Sequence, residues 1–209
     1  FTGMVLALQS SVELGKFGAT IYIGHLVGAS MVRELGPVLS SLAVAGRAGS
    51  GIAAELGSMR VTEQIDALET MGTDPIRKLV TPRLLAAVIT MPLLTIIADA
   101  IGILGGLIIA VIRIQIPPST YLRGVGLTLA QSGFVAGFFP RDFVSGLLKP
   151  VVFGALIALT GSYYGLNAAG GTEGVGRATT RAVVVSSMLI FATDYFMTQL
   201  LLVVLPPAS

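Results

Sequence analysis

Six charged residues set in apolar surroundings are the first candidates for chemistry: Arg33, Glu34, Arg47, Glu55, Asp99 and Asp194. A charge held in a non-aqueous setting costs about 2.5–3.5 kcal/mol on membrane-insertion scales, so each one needs a partner, a wet cavity or a ligand. Arg33 and Glu34 are adjacent and diverge by about 100° on a helix. They cannot pair face to face, so at least one points to a cavity or to another helix. Asp194 is expected to answer Arg33 or Arg47, either as a buried ion pair that holds helices together or as part of a polar cavity. Glu55 follows Arg47 by two turns on one helix face and reads as interfacial. Asp99, among glycines, is expected to be satisfied by neighbouring backbone or hydroxyl groups. A proton relay would need more aligned acids and histidines than this chain has, since His25 is its single histidine.

Other chemistries are excluded by what is missing. There is no Cys and one His, so neither a disulfide framework nor a cysteine- or histidine-rich metal site can form. No GxxxxGK[ST] occurs, so no P-loop cradles a nucleotide. The run Gly170-Gly171-Thr172-Glu173-Gly174-Val175-Gly176 resembles a glycine-rich phosphate loop only superficially, because no strand precedes it. No nucleophile–base set suggests a hydrolase. Catalytic residues, a metal and a cofactor are therefore not expected. The net charge of +2 on so few charges is not a nucleic-acid-binding surface.

The elements that must position these charges are membrane helices. Of 209 residues, 54% are hydrophobic and 11% charged, with a mean hydropathy of +0.87. A soluble domain carries about 25% charged residues, more than twice this share. One span is predicted over Leu84–Ile112, a second over Val183–Leu205, and a third over about Val144–Leu166 with Lys149 and Pro150 near one end. A fourth, less regular, runs from about Ile21 to Gly57 across Arg33, Glu34, Pro37, Arg47 and Glu55, as a tilted or broken helix facing protein or water along part of its length. Residues 1–15 read as the tail of a further span, and Phe1 stands inside an apolar stretch, so an N-terminal segment is expected to be missing. Small residues four apart (Gly102/Gly106, Gly161/Gly165, Ala45/Gly49, Ala53/Gly57) predict close helix packing.

Residues 59–83 stand apart, holding 8 of the 24 charged residues, four of each sign. Val61, Ile65, Leu68 and Gly72 recur at helical spacing with Met71 alongside, which predicts a short amphipathic helix over 61–72. It is either a solvated loop helix or a docking element whose apolar stripe fills a partner's groove while its charges set orientation. Asp74-Pro75 and again Thr81-Pro82 read as N-cap and first helical residue. Residues 113–143 form a connection whose stretch 120–139 is weakly amphipathic, and 167–182 is a Gly-rich loop. If 59–83 is cytoplasmic, that side holds Arg60, Arg77, Lys78, Arg83, Arg177 and Arg181, against Arg113, Arg123, Arg141 and Lys149 opposite. Six against four favours this orientation.

Several of these motifs together resemble the MlaE family, the permease subunits of ATP-driven lipid transporters that work with MCE-domain proteins. They are Arg33-Glu34-Leu35-Gly36-Pro37, Ala45-Gly46-Arg47-Ala48-Gly49, and the run from Ala54 to Gln64 (AELGSMRVTEQ). Thr73-Asp74-Pro75, Pro82-Arg83, Pro92-Leu93-Leu94-Thr95, the run Gly176 to Val184, Ser186-Ser187 and Asp194 continue the match over nearly the whole chain. The resemblance implies an all-α integral membrane protein, one permease domain over 1–209 with about five transmembrane helices, preceded by an interfacial helix that is expected to be missing here. It implies a homodimer, a cytoplasmic ATPase subunit that hydrolyses ATP in place of this non-catalytic chain, and MCE-domain partners on the far side. Residues 61–72 would be the coupling helix, with Val61, Glu63, Ile65, Asp66, Leu68 and Met71 facing the ATPase, and 113–143 would be periplasmic. A phospholipid cavity would be lined by Leu6, Leu14, Phe17, Arg33, Glu34, Leu35 and Asp194. The expected function is phospholipid movement between a bacterial inner membrane and MCE proteins, maintaining outer-membrane lipid asymmetry. Two other classes stand beside it: an ion-coupled secondary transporter or channel using Arg33, Glu34, Asp99 and Asp194, and a purely structural membrane anchor.

Overall fold

This computed structural model describes the backbone of residues 1–131, 134–135 and 139–204 and the side chains of 1–130 and 143–204, and nine α-helices follow one another among the described residues. They are α1 (Thr2–Lys16), α2 (Ile23–Ser30), α3 (Gly36–Val44), α4 (Ser50–Val61), α5 (Gln64–Thr70), α6 (Thr81–Ile112), α7 (Pro118–Gln131), α8 (Arg141–Leu166) and α9 (Gly171–Val204). A two-residue antiparallel pairing, β1 (Phe134–Val135) with β2 (Phe139–Pro140), separates α7 from α8. Of the expected amphipathic stretch 120–139, the part up to Gln131 is helical, and 132–133 and 136–138 lie outside the described residues.

Among the described residues, three helices are long and apolar enough to cross a membrane: Ile76–Ile112, Phe143–Leu166 and Gly171–Val204. Their outward faces carry large apolar side chains such as Ile89, Ile97, Ile101, Met188, Phe191 and Phe196, all exposed. Each such side chain in water would forfeit about 1.5–3 kcal/mol, so these faces belong against lipid or another apolar surface. The predicted fourth span is a single helical run, α2 to α4, interrupted by two wide π-turns at Met31–Leu35 and Ala45–Gly49.

Two boundaries differ from the sequence-based expectation. Thr81-Pro82 starts no new helix. A π-turn at Ile76–Val80 lets the chain run unbroken into α6, and the Thr81 hydroxyl donates back to the Ile76 carbonyl at 3.3 Å. Asp74 is the cap instead, its Oδ1 accepting the Ile76 N–H at 2.9 Å. The Gly-rich 167–182 is mostly helix, not loop. Its turn is made by Gly170 and Gly171 at positive φ, and Gly174 lies so close to the Ala169 carbonyl that no Cβ fits. Glycine costs a helix about 1 kcal/mol per residue, and burial of Ala178 and Ala182 offsets it.

The chain divides into two units. The first comprises Phe1–Pro37, Leu94–Leu148 and Thr198–Ser209. Its core is Ala7, Ile23, Val27, Met31, Ala110, Ile116, Tyr121 and Val125, and the buried Tyr121 hydroxyl donates to the Ile103 carbonyl at 3.1 Å. Here α2 and α7 touch through Gly24 and Gly28, a small-residue pair absent from the sequence analysis. A Cβ on Gly24 would strike the Tyr121 carbonyl, so backbone meets backbone. The second unit is Val38–Leu93 with Lys149–Met197, built on Ala45, Met91, Phe153, Ile157 and Ile190. The predicted packing of Gly161 and Gly165 is present there: a Cβ on Gly161 would lie 2.9 Å from the Gly49 carbonyl, and one on Gly165 3.0 Å from that of Ala53.

Candidate functional site

The π-turn Met31–Leu35 is the centre of the first unit's polar chemistry. Pro37 offers no N–H to the carbonyl four residues back, and the ladder widens there, with the Gly36 N–H donating to Met31 O. Met31 and Val32 are buried and Leu35 packs on the core, while Arg33 faces outward and Glu34 is half-buried. Thr198 of α9 donates its hydroxyl to Glu34 Oε1 at 3.2 Å. Asp99 of α6 presses against Gly36, where a Cβ would collide with its Oδ1. That oxygen is buried and has no hydrogen-bond partner among the described residues, contrary to the expectation that backbone or hydroxyl groups satisfy it. Single π-turns inside α-helices are frequent at functional sites.

Within the second unit, the partner of Asp194 is not Arg47. In the second unit it meets Lys149 of α8, Nζ to Oδ1 3.0 Å, a direct ion pair whose alignment falls short of a hydrogen bond. Lys149 is only 2% exposed and Asp194 20%. Lys149, near one end of the third predicted span, is therefore buried in the bundle, and it leaves the loop-charge count. Glu55 is held by Arg83 at 2.7 Å. Among the remaining residues expected to line the cavity, Leu6 and Leu14 lie on α1 against the first unit's core, and Phe17 follows α1 with 82% of its surface exposed.

The helix expected over 61–72 is broken in two. Val61 ends α4, and Glu63 takes a left-handed conformation (φ 59°) before α5 begins at Gln64. Gly72 belongs to no stripe. It caps α5 at φ 73°, its N–H reaching Glu69 O at 2.9 Å while the Thr73 N–H reaches Leu68 O at 3.0 Å, a Schellman closure. Ile65 is 3% exposed and serves the protein's own core. Asp66 pairs with Arg60 of α4, and Leu68 is half-buried. Met71, 77% exposed, and Ile76 just beyond are the apolar groups offered outward. At the foot of α4, Gly57 packs on Ala168 and Val175, which joins the α4 end to the start of α9. No group of His, Asp and Glu suited to a metal occurs among the described residues.

A sequence profile of the family described as Permease MlaE matches residues 1–200. The chain belongs to the MlaE permease family. Among its relatives is a probable ABC transporter permease protein of Rickettsia bellii, 48% identical over 200 residues, covering 96% of this chain and 74% of that protein. The intermembrane phospholipid transport system permease protein MlaE of Haemophilus influenzae is 37% identical over 201 residues, covering 96% and 74%. The chloroplastic protein TRIGALACTOSYLDIACYLGLYCEROL 1 of Arabidopsis thaliana is 36% identical over 199 residues, covering 95% and 54%. As an MlaE permease, the chain is an all-α, multi-pass membrane protein of the ABC-transporter permease class, which implies an ATPase partner. The sequence reading singled out Arg33 and Glu34 but did not join Thr198 to Glu34, Lys149 to Asp194 or Asp99 to Gly36. A Lys beside Pro150 within an apolar run, and a Thr one turn after Asp194, were the available signals.

Proposed function

We propose that this MlaE-family chain is the permease subunit of an ATP-driven phospholipid transporter in a bacterial inner membrane. It acts as a homodimer and passes lipids between that membrane and MCE-domain partners, so maintaining outer-membrane lipid asymmetry. The observation that carries the reading is the π-turn at 31–35, where Arg33 and the Thr198-held Glu34 stand on an otherwise apolar helical run. Arg33 suits a phosphodiester by its planar fork, and Leu6, Leu14, Phe17 and Leu35 supply apolar wall for acyl chains. Asp194 acts from the second unit by fixing α8 to α9 through Lys149.

Energy enters from an ATPase subunit docked at the segment from Val61 to Met71. Glu63 and the Arg60–Asp66 pair orient that contact, Ile65 and Leu68 hold α5 in place, and Met71 meets the partner. The segment's cytoplasmic placement is supported by charge. With Lys149 removed from the opposite side, the balance becomes six Lys/Arg against three. The connection 113–143 then lies on the periplasmic side. Dimerisation is supported by α9, whose most apolar stretch is only 11% buried within the chain.

The test is the Arg33→Ala/Glu34→Ala double variant, purified with its ATPase and assayed for co-purifying phospholipid and for ATP-dependent transfer in proteoliposomes. Both should fall several-fold at unchanged thermal stability. Wild-type levels of both would remove the cavity from Arg33 and Glu34.

A further inference from the structure

Apart from the π-turn, the first unit has a half-enclosed groove of about 500 Å³ between the start of α2 and the start of α7. Ile21, Tyr22 and His25 form one wall, and Ser119, Thr120, Arg123, Gly124 and Leu127 the other. The groove exists because Gly24 and Gly124 bring the two backbones together below it, where side chains would otherwise fill the space. No acid lines it, and Arg123 has no ion-pair or hydrogen-bond partner among the described residues. The His25 ring is fixed: its Nδ1 lies 2.8 Å from the hydroxyl of the buried Thr128, which leaves Nε2 as the ring nitrogen for a ligand. The polar groups sit beside exposed apolar side chains, Ile21, Tyr22 and Leu127. Cation, imidazole and hydroxyls next to apolar surface match a phosphate carried on a glycerol and acyl chain.

We propose that this α2–α7 groove is a second phosphate site, taken by the headgroup of an anionic phospholipid, with Arg123 as the phosphate ligand and His25, Ser119 and Thr120 as supporting hydrogen-bond partners. It is distinct from the π-turn at Arg33 and does not rest on the transport reading. Ile21, Tyr22 and Leu127 cover the start of the lipid's apolar part. Thr128 is a positioning residue that acts through the ring of His25.

The experiment uses the full chain, delipidated in detergent and re-exposed to phosphatidylglycerol or to phosphatidylcholine, with retained lipid counted by native mass spectrometry. Phosphatidylglycerol retention should fall about ten-fold in Arg123→Glu, the loss of one charge-assisted contact, and less in Arg123→Lys. Adding Arg123→Glu to the Arg33→Ala/Glu34→Ala variant should lower retention further, by about as much as Arg123→Glu alone, which separates failure here from failure of the proposed cavity. Thr128→Val should lower retention by loosening His25. Three results would each overturn the proposal: retention in Arg123→Glu equal to wild type, an equal loss in the control Arg113→Glu, or no preference for phosphatidylglycerol. Saturation by millimolar inorganic phosphate of a site that retains no lipid would also overturn it, by assigning the groove to the free ion.

Discussion

Replacing Asp194 by Asn removes the carboxylate from a lysine that is 98% buried, since the Lys149 side chain exposes only 2% of its surface. Breaking a buried ion pair from one side costs about 3–5 kcal/mol, because the remaining charge stays in a low-dielectric site. A chain of this length shifts its melting temperature by about 2–4 °C per kcal/mol, so Asp194→Asn should lower it by roughly 6–20 °C. Lys149→Met leaves its charge on Asp194, which is 20% exposed, and should cost less. The pair Lys149→Met/Asp194→Leu removes both charges together, and such replacements are neutral or stabilising by about 1–4 kcal/mol. The assay is loss of the monodisperse peak on size exclusion after stepwise heating in detergent, for wild type, both single variants and the double variant. The expected order from least stable is Asp194→Asn, then Lys149→Met, then the double variant near wild type. Single variants that melt with wild type, or a double variant worse than either, would refute the assignment of this contact as a buried ion pair.

Two further outcomes test the packing and the docking surface. Gly36→Ala places a Cβ on Asp99 Oδ1 and should destabilise the protein measurably, while adding Asp99→Ala should restore much of the loss; absence of rescue in the same heating assay would separate the two residues. Met71→Asp with Ile76→Asp should release the ATPase subunit on co-purification at unchanged melting temperature, whereas Ile65→Asp should lower the melting temperature itself, because Ile65 is buried within this chain.

The long apolar helices were legible because a run of twenty or more apolar residues has few other uses. The small-residue seams at Gly161 and Gly165 were legible for a similar reason, since glycine repeated at helical spacing serves close approach. What escaped depends on pairing between helices. Nothing in the local sequence joins Lys149 to Asp194 or Thr198 to Glu34, and each of these contacts is made only when α9 is laid against its neighbour. Thr81-Pro82 misled because a proline is normally read as the first residue of a helix, yet a wide turn just before it absorbs the missing N–H. The 61–72 stripe misled because Gly72 fitted the spacing by accident of its position as a cap, and because Glu63, a non-glycine in a left-handed conformation, gives no signal in composition.

The wide turn at Met31–Leu35 changes how the run containing it is wound. One residue more than a regular turn holds is fitted between α2 and α3, so every side chain after it is rotated by about 100° from where a 3.6-residue count would put it. The residues from Gly36 onward keep their own regular spacing, but the facing they present is set by this one surplus position. The surplus is kept in place by Pro37, which offers no N–H, by the Thr198 hydroxyl on Glu34 and by Asp99 packed on Gly36.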